Sequence, residues 1–375
     1  MKNIIFQGSL PESTEDNFVG MLSAVDRDRL READLLCQRE HTIWSPGFFL
    51  SSVDRRNWSS SMSVVRTGGA VTGIVYAKER RILGFPTGII YADGSLGSMV
   101  IAAAPERESV FYATMRNLLT SPRVQGLRLV VPPNGFEIQA ITRLLASCSL
   151  DVSCVPVKNH AIVSLPSDYE EYVRSLSYKA RRNLRYYRRQ FEGNGDMFVT
   201  QIPFDQFQSI AWTLKPKCKI GGSRSAVKRA MKMLSAADQP MLVGLRSRSG
   251  EWLSLAGGWR EEGRATLFFQ LNNDKEHSCA SLSTVLRAYL VEALIKQGVK
   301  EILLWGGSSG PLMRVADSVP ALAIQLDKPT RPWRFLRSAL AIVARWMPAP
   351  LAIGIQWVAP FKQVPEFLLP APPDA

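Results

Sequence analysis

Apolar side chains along residues 166–193 recur at Val173, Leu176, Ala180, Leu184, Tyr187 and Phe191. Steps of three and four residues stack them on one side of a 3.6-residue helix. Lys179, Arg181, Arg182, Arg185, Arg188 and Arg189 fall away from that stripe. The pattern therefore predicts an amphipathic helix with one apolar face and one densely basic face. Ser167, ahead of Asp168 to Glu171, is a suitable N-cap, and Gly193 a suitable stop. Ser175 and Ser177 offer an alternative: a short helix, then a longer one starting near Ser177. Crowded positive charges repel one another, so the face calls for a negative partner nearby. Its plain alternative is a solvated charged surface.

Elsewhere the period shortens to two, and the chain divides into halves of similar grammar. In the first, Met62 to Arg66 and Val71 to Ala77 read as strands flanking the turn T-G-G-A at 67–70. Ile89 to Tyr91 leads into the turn A-D-G-S, Met99 to Ala103 is apolar, and Glu106 to Leu119 has helical spacing. Leu127 to Val131 is a strand stopped by Pro132 and Pro133, and Ala161 to Leu165 a closing strand. In the second half Met241 to Leu245 and Trp252 to Gly257 flank the turn S-R-S-G-E. Ala265 to Leu271 then reads as a strand, Ser283 to Lys296 as a helix ended by Gly298, and Glu301 to Trp305 as a strand ended by Gly306 and Gly307. Both halves run hairpin, strand, helix, strand: a repeated architecture without a sequence repeat. The fold class expected is α/β (α+β), two lobes each with a mixed, mostly antiparallel sheet flanked by helices. The boundaries expected are 1–165, 166–327 and a C-terminal segment 328–375.

Composition narrows the partners. The 375 residues are 46% hydrophobic and 21% charged, as in folded domains, and the net charge of +13 favours an anionic partner. Nucleic acid, a phosphorylated cofactor and an anionic membrane face all satisfy that charge. The five cysteines are odd in number and scattered, with three histidines beside them, so no metal site is expected. The first residues lack the apolar core of a signal peptide, which makes a cytoplasmic setting the default. Without a helix-turn-helix pattern ahead of the basic helix, DNA reading is not expected.

The segment S-L-S-Y-K-A-R-R-N-L-R-Y-Y-R-R at 175–189 resembles the opening motif of the GNAT-like acetyltransferases of the CelD/BcsL group, annotated for cellulose and exopolysaccharide biosynthesis and related to the FemAB peptidyltransferases. That motif is Ser-x-Lys-x-Arg-x-Asn-Leu-Arg, and Ser177, Lys179, Arg181 or Arg182, Asn183, Leu184 and Arg185 take its places. The resemblance continues through R-A-T-L-F-F-Q-L-N-N-D at 264–274 and the helix at 281–294 to E-I-L-L-W-G-G at 301–307. The first half is similar only in layout, to a degenerate N-terminal lobe.

The resemblance implies an acyl thioester held in a split between two parallel strands. The acceptor attacks the carbonyl directly, and a backbone N–H of the splayed strand receives the oxyanion. It implies Thr266 to Leu271 as that strand, acetyl-CoA or another acyl-CoA as donor, and Lys179, Arg181, Arg182, Ser283 and Thr284 as cofactor contacts. One departure stands out. The family's pyrophosphate loop carries glycines, whereas K-E-H-S-C-A-S-L-S at 275–283 has none, which hinders close backbone approach to phosphate. Either the basic helix supplies the phosphate contacts, or the donor is an aminoacyl-tRNA, as in FemAB relatives.

His277 has the chemistry of a general base, with Asp274 to orient it; the plain alternative is a polar surface loop. Asn273, Trp305 and Ser308 are candidate contacts to a sugar or lipid-linked acceptor, against a strand-exit turn and core packing. At the C-terminus, Arg331, Arg334, Arg337 and Arg345 share a narrow arc beside Trp333, Phe335, Leu336 and Trp346. This suits a helix lying in the headgroup layer of an anionic membrane, or one packed on the N-terminal lobe. Arginines and prolines within 331–358 argue against a span. The function expected is acyl transfer to an amino or hydroxyl group of a cell-envelope or exopolysaccharide precursor. The alternative is a non-catalytic, peripheral membrane-docked binding protein of the same fold.

Overall fold

The computed structural model describes residues 18–22, 27–218, 224–306 and 316–329, together with Ala339 and Ile342. The arginine-rich C-terminal helix and Ser308 therefore lie outside the described residues, apart from those two positions. The chain divides into two compact units, Met1–Val157 with Pro320–Ala375, and Lys158–Val319. Both divisions fall inside strands, not at the 165/166 and 327/328 boundaries that the sequence suggests.

The first unit begins with β1 (Phe18–Leu22), α1 (Arg27–Arg39) and α2 (Pro46–Ser52). β2 (Trp58–Thr67) and β3 (Ala70–Ile82) form the expected hairpin. Gly68 and Gly69, both at positive φ, make its turn. β4 (Phe85–Asp93), β5 (Val100–Ala102), α3 (Arg107–Thr120), β6 (Gly126–Val131), α4 (Phe136–Ser147) and β7 (Asp151–Ser164) follow. Its sheet order is β1-β2-β3-β4-β6-β13, where β13 is Asp317–Asp327, and β5 pairs with β3. Phe111 and Met115 of α3 and Ile141 and Leu144 of α4 pack on the sheet through Val75, Ile90, Leu127 and Leu129. β13 carries Asp327 to Arg128, a 3.0 Å ion pair with both side chains 2% exposed.

The second unit opens with α5 (Tyr169–Ser175) and α6 (Tyr178–Gly193). The alternative reading of two helices is the one observed. Asp168, not Ser167, caps the first by accepting from the Glu171 N–H, and Ser177 caps the second by accepting from the Ala180 N–H. α6 ends at Gly193, as expected, with Asn194 as its C-cap. β8 (Met197–Val199), α7 (Phe207–Leu214), α8 (Arg224–Ala236), β9 (Pro240–Arg246), β10 (Trp252–Glu261), β11 (Arg264–Asn272), α9 (Leu282–Lys296) and β12 (Glu301–Leu304) complete it. The sheet runs β7-β12-β11-β10-β9-β8. Its two faces bury different strand residues, as a two-residue period dictates. Met241, Val243 and Leu245 meet α5, α6 and α9, whereas Leu242 meets α7 and α8. The predicted stripe of the basic helix faces this core: Val173, Leu176, Leu184 and Phe191 are buried, and Ala180 and Tyr187 pack against them.

Candidate functional site

β11 and β12 run parallel from Arg264↔Glu301 to Leu267↔Leu304. The Trp305 N–H donates to the Leu267 carbonyl at 3.0 Å, and β12 then ends while β11 continues along β10 to Asn272. At this parting β11 bulges. Gly258 pairs with Leu267 and Gly257 with Phe269, so Phe268 has no counterpart. Gly258 faces the Thr266 backbone so closely that a Cβ would collide with its carbonyl. One extra residue turns every following side chain to the opposite face. Accordingly Ala265 and Leu267 pack toward α9, whereas Leu271 packs toward α7 and α8 with Phe269 beside it.

Past the bulge, polar groups connect β11 to α9. Arg287 Nε donates to Gln270 Oε1 at 3.2 Å, and Gln270 Nε2 donates to Asn272 Oδ1 at 3.0 Å. Ser254 Oγ donates to the same Asn272 oxygen at 2.6 Å. Burial pushes the Arg287 guanidinium below its usual pKa, against the opposing influence of Tyr172.

Aromatic rings line the mouth of the parting. Trp305 is half-buried, with its ring edge-on to His160 at 5.5 Å, and to Trp259 and Phe268 at 5.6 Å. Gly306 turns the chain at φ 81°, and its N–H donates to His160 Nδ1 at 3.2 Å. His160 is buried on β7, next to Ala161, which pairs with Leu304. With Nδ1 accepting, the neutral imidazole carries its proton on Nε2.

The loop from β11 to α9 holds the residues nominated for catalysis. Asn273 is fully buried. Its Nδ2 donates to Glu276 Oε2 at 2.7 Å and Glu251 Oε1 at 3.3 Å, and its Oδ1 accepts from the Glu276 N–H. The amide nominated for substrate is thus engaged in the turn. Lys217 Nζ sits on both carboxylates, 2.6 Å from Glu251 and 2.8 Å from Glu276. Its hydrogen bond, with that of Asn273, holds Glu276 below the usual carboxylate range. Ligand atoms of Glu251, Glu276 and His277 lie within 4.8 Å of one another, and the Lys217 ammonium already takes the place of a cation there. His277 follows the end of β11, about 17 Å along the strand from the parting at about 3.4 Å per residue. Asp274 is half-buried in the same loop. Ser281 enters α9 in the left-handed region at φ 45°, a conformation that favours glycine. Ser283 and Thr284 form the first turn of α9, with Thr284 Oγ1 and Ser281 Oγ 2.8 Å apart.

On α6 the cations divide by function. Arg188 is structural: it meets Glu192 at 2.9 Å and Glu292 at 2.7 Å, and lies 4.4 Å over the Tyr289 ring. Arg181 donates to the Arg174 carbonyl at 3.2 Å, and Arg185 is 3.7 Å from Glu170. Lys179, Arg182 and Arg189 are exposed and have no carboxylate partner among the described residues. Sequence reasoning missed His160, Gln270 and Arg287. Only the pair Gly257-Gly258 signals the bulge in the sequence.

No family model matches the chain, and no curated protein matches it. Solved structures do. FemX is similar with a TM-score of 0.56 and 9% identity, over 82% of this chain and 98% of that one. A conserved protein of unknown function from Bacteroides thetaiotaomicron gives a TM-score of 0.54 and 10% identity, over 83% and 100%. L-PGS from Bacillus licheniformis gives 0.51 and 9%, over 80% and 92%. What they share with this chain is the fold. The mixed α/β architecture expected from the sequence, two units with mostly antiparallel strands flanked by helices, is the one observed. No described helix is long and apolar enough to cross a membrane.

Proposed function

We propose that this protein is an acyltransferase working by direct attack at the parting of β11 and β12. The observation that carries this reading is the four-rung parallel pair that ends at Leu267 and Leu304 beside the Phe268 bulge. Backbone N–H groups of β11 released from β12 beyond that point are fixed donors for a developing oxyanion. The acceptor amine or hydroxyl attacks the carbonyl carbon. The bond to the donor breaks, and the acceptor's proton passes through solvent or a nearby base to the leaving sulfur or oxygen, which departs as thiol or hydroxyl. His160 accepts the Gly306 N–H through Nδ1, so that nitrogen is engaged in fixing the turn after β12 and is not a base.

For an acyl-CoA donor, Lys179, Arg181 and Arg182 and the α9 start at Ser283 and Thr284 are the phosphate contacts. The acceptor class is a cell-envelope or exopolysaccharide precursor, with Trp305 as a stacking surface. A second reading, an aminoacyl-tRNA donor, is favoured by one observation. Glu276 lies in the loop in which the fold otherwise receives a pyrophosphate, and Glu251 of the β9–β10 turn meets the same Lys217 ammonium, so that cation is already engaged by carboxylates.

Calorimetric titration with acetyl-CoA at low and moderate salt tests the first reading. Micromolar binding lost in Lys179→Ala/Arg182→Ala supports it. Absent binding, together with tRNA binding that falls steeply with salt, moves the donor to tRNA. Binding of neither overturns the proposal.

A further inference from the structure

The outward face of α6 combines features that a solvated charge run does not need. Tyr178 and Tyr186 are 75% and 61% exposed, the two tyrosines among the large exposed side chains of the described residues. With Arg182, Arg185 and Arg189 they recur at steps of three and four, so rings and guanidinium groups alternate along one side of the helix. The tyrosines stand eight residues apart, about 12 Å at 1.5 Å per residue. This face borders a concavity of about 760 Å³, lined among the described residues by Tyr178, Arg181, Arg182, Arg185, Tyr186, Arg189 and Gln190.

We propose that this face is a nucleotide subsite, in which Tyr178 and Tyr186 stack on a base and Arg182, Arg185 and Arg189 hold the flanking phosphates. Aromatic rings interleaved with cations are the chemistry of base stacking plus backbone neutralisation. A bilayer fits the face poorly, because its lining among the described residues has no aliphatic side chain and is concave, where insertion requires projecting apolar groups. The contrast with Arg188 sharpens the point: that residue is consumed by Glu192 and Glu292, while Arg182 and Arg189 have no carboxylate partner among the described residues. The nucleotide has two possible sources, the 3′-phosphoadenosine diphosphate end of coenzyme A and the 3′ end of an RNA. The inference rests on the transferase reading only for the identity of those sources.

Two probes that carry no acyl group separate it from that reading. Adenosine 3′,5′-bisphosphate is titrated calorimetrically into the full chain, and a single-stranded RNA of about 12 nucleotides ending in CCA is followed by fluorescence anisotropy. Each tyrosine-to-alanine change is expected to weaken RNA binding about ten-fold, and one of the two to weaken bisphosphate binding about ten-fold, with tyrosine-to-phenylalanine restoring it, because stacking uses the ring and not the hydroxyl. Arg182→Ala/Arg189→Ala is expected to lower the salt slope for RNA by about 1.4, at about 0.7 per phosphate contact on a single strand. Tight bisphosphate binding with weak RNA binding assigns the coenzyme, and the reverse assigns RNA. No binding of either probe, or binding indifferent to loss of both rings in variants that melt like the parent, overturns the proposal. Nucleotide binding in a protein that transfers nothing sinks the transferase reading alone.

Discussion

In the first unit β4 and β6 run parallel from Ile89↔Gly126 to Asp93↔Val130, and the chain closes over the end of that pair; in the second, β11 and β12 separate at a bulge. The irregularity of β4 falls earlier, between Pro86 and Ile90, where Gly88 adopts φ 69°. β4 therefore stays regular to its last rung, and the Gly94 N–H extends the ladder to the Val130 carbonyl at 2.7 Å. Asp93 then accepts from Tyr91 Oη, Ser95 N–H and Ser95 Oγ. Met99 and the Glu137 carboxyl lie against Gly94, 2.9 and 3.0 Å from where its Cβ would stand. The same supersecondary unit is thus a plugged scaffold in one place and, among the described residues, a parted pair of strands in the other. Where the bulge falls relative to the parallel rungs decides which.

The largest expected effect attacks the scaffold. Asp327→Ala leaves the Arg128 guanidinium buried without its carboxylate, which costs about 3–5 kcal/mol for a buried pair. Urea denaturation should show the first unit losing its structure ahead of the second. Equal loss in both units would mean that they do not unfold separately.

Next comes the split itself. Gly258→Ala drives a methyl group into the Thr266 carbonyl, so β10 and β11 must shift or lose the bulge. A cost of about 2–3 kcal/mol is expected from such overpacking, with acyl transfer falling further than stability. A variant that keeps full transfer activity would show that the bulge is not what opens the site.

A smaller effect reports on the plug. Burial raises the Glu137 carboxyl pKa above its ordinary 4.5, and its Oε2 has no hydrogen-bond partner among the described residues. Because the folded-state pKa is the higher one, the protonated group's contribution is complete below the unfolded value and is lost as pH rises through the folded one. The first unit should therefore weaken from acid toward neutral pH, and Glu137→Gln should flatten that decline. Denaturation midpoints measured from about pH 4 to about pH 8 check the sign. An unchanged slope would show that the carboxyl is solvated and the mouth is not plugged.

Much of this contrast is hidden from the sequence, for a physical reason. The hairpin turns at Gly68-Gly69 and at 247–251, the stripe on α6 and the two strand–helix–strand runs were legible because each pattern resides within one element. A bulge is defined against its partner strand, so R-A-T-L-F-F-Q-L-N reads as an unbroken strand, and Phe268 is marked only by Gly257-Gly258 across the ladder. His160 lay unnoticed in an apolar run because its role depends on Gly306, 146 residues away. Asp327 likewise acquires meaning only when β13 returns to β6. Conversely, His277 and Asn273 attracted notice by residue type, and their loop proved to be held together by Lys217, Glu251 and Glu276.

The smallest expected effect compares the two loops that follow the parallel strands. Gly94 and Gly97 shape the loop of the first unit, the latter at φ 70°, whereas the second unit has no glycine between Asn273 and Ser281. Ser281 instead takes the left-handed conformation at φ 45°, where a Cβ costs about 1–2 kcal/mol. Its hydroxyl recovers part of that through the 2.8 Å contact with Thr284 Oγ1. Ser281→Gly is therefore expected to stabilise the second unit by about 0.5–1 kcal/mol, the strain relieved less the hydrogen bond forgone. It also gives the α9 N-terminus the backbone access to phosphate that this loop otherwise lacks. If acetyl-CoA binding tightens along with the melting temperature, the loop is a phosphate site weakened by its sequence. If only the melting temperature rises, Glu251 and Glu276 exclude phosphate whatever the backbone does, and the donor's anionic part belongs on α6.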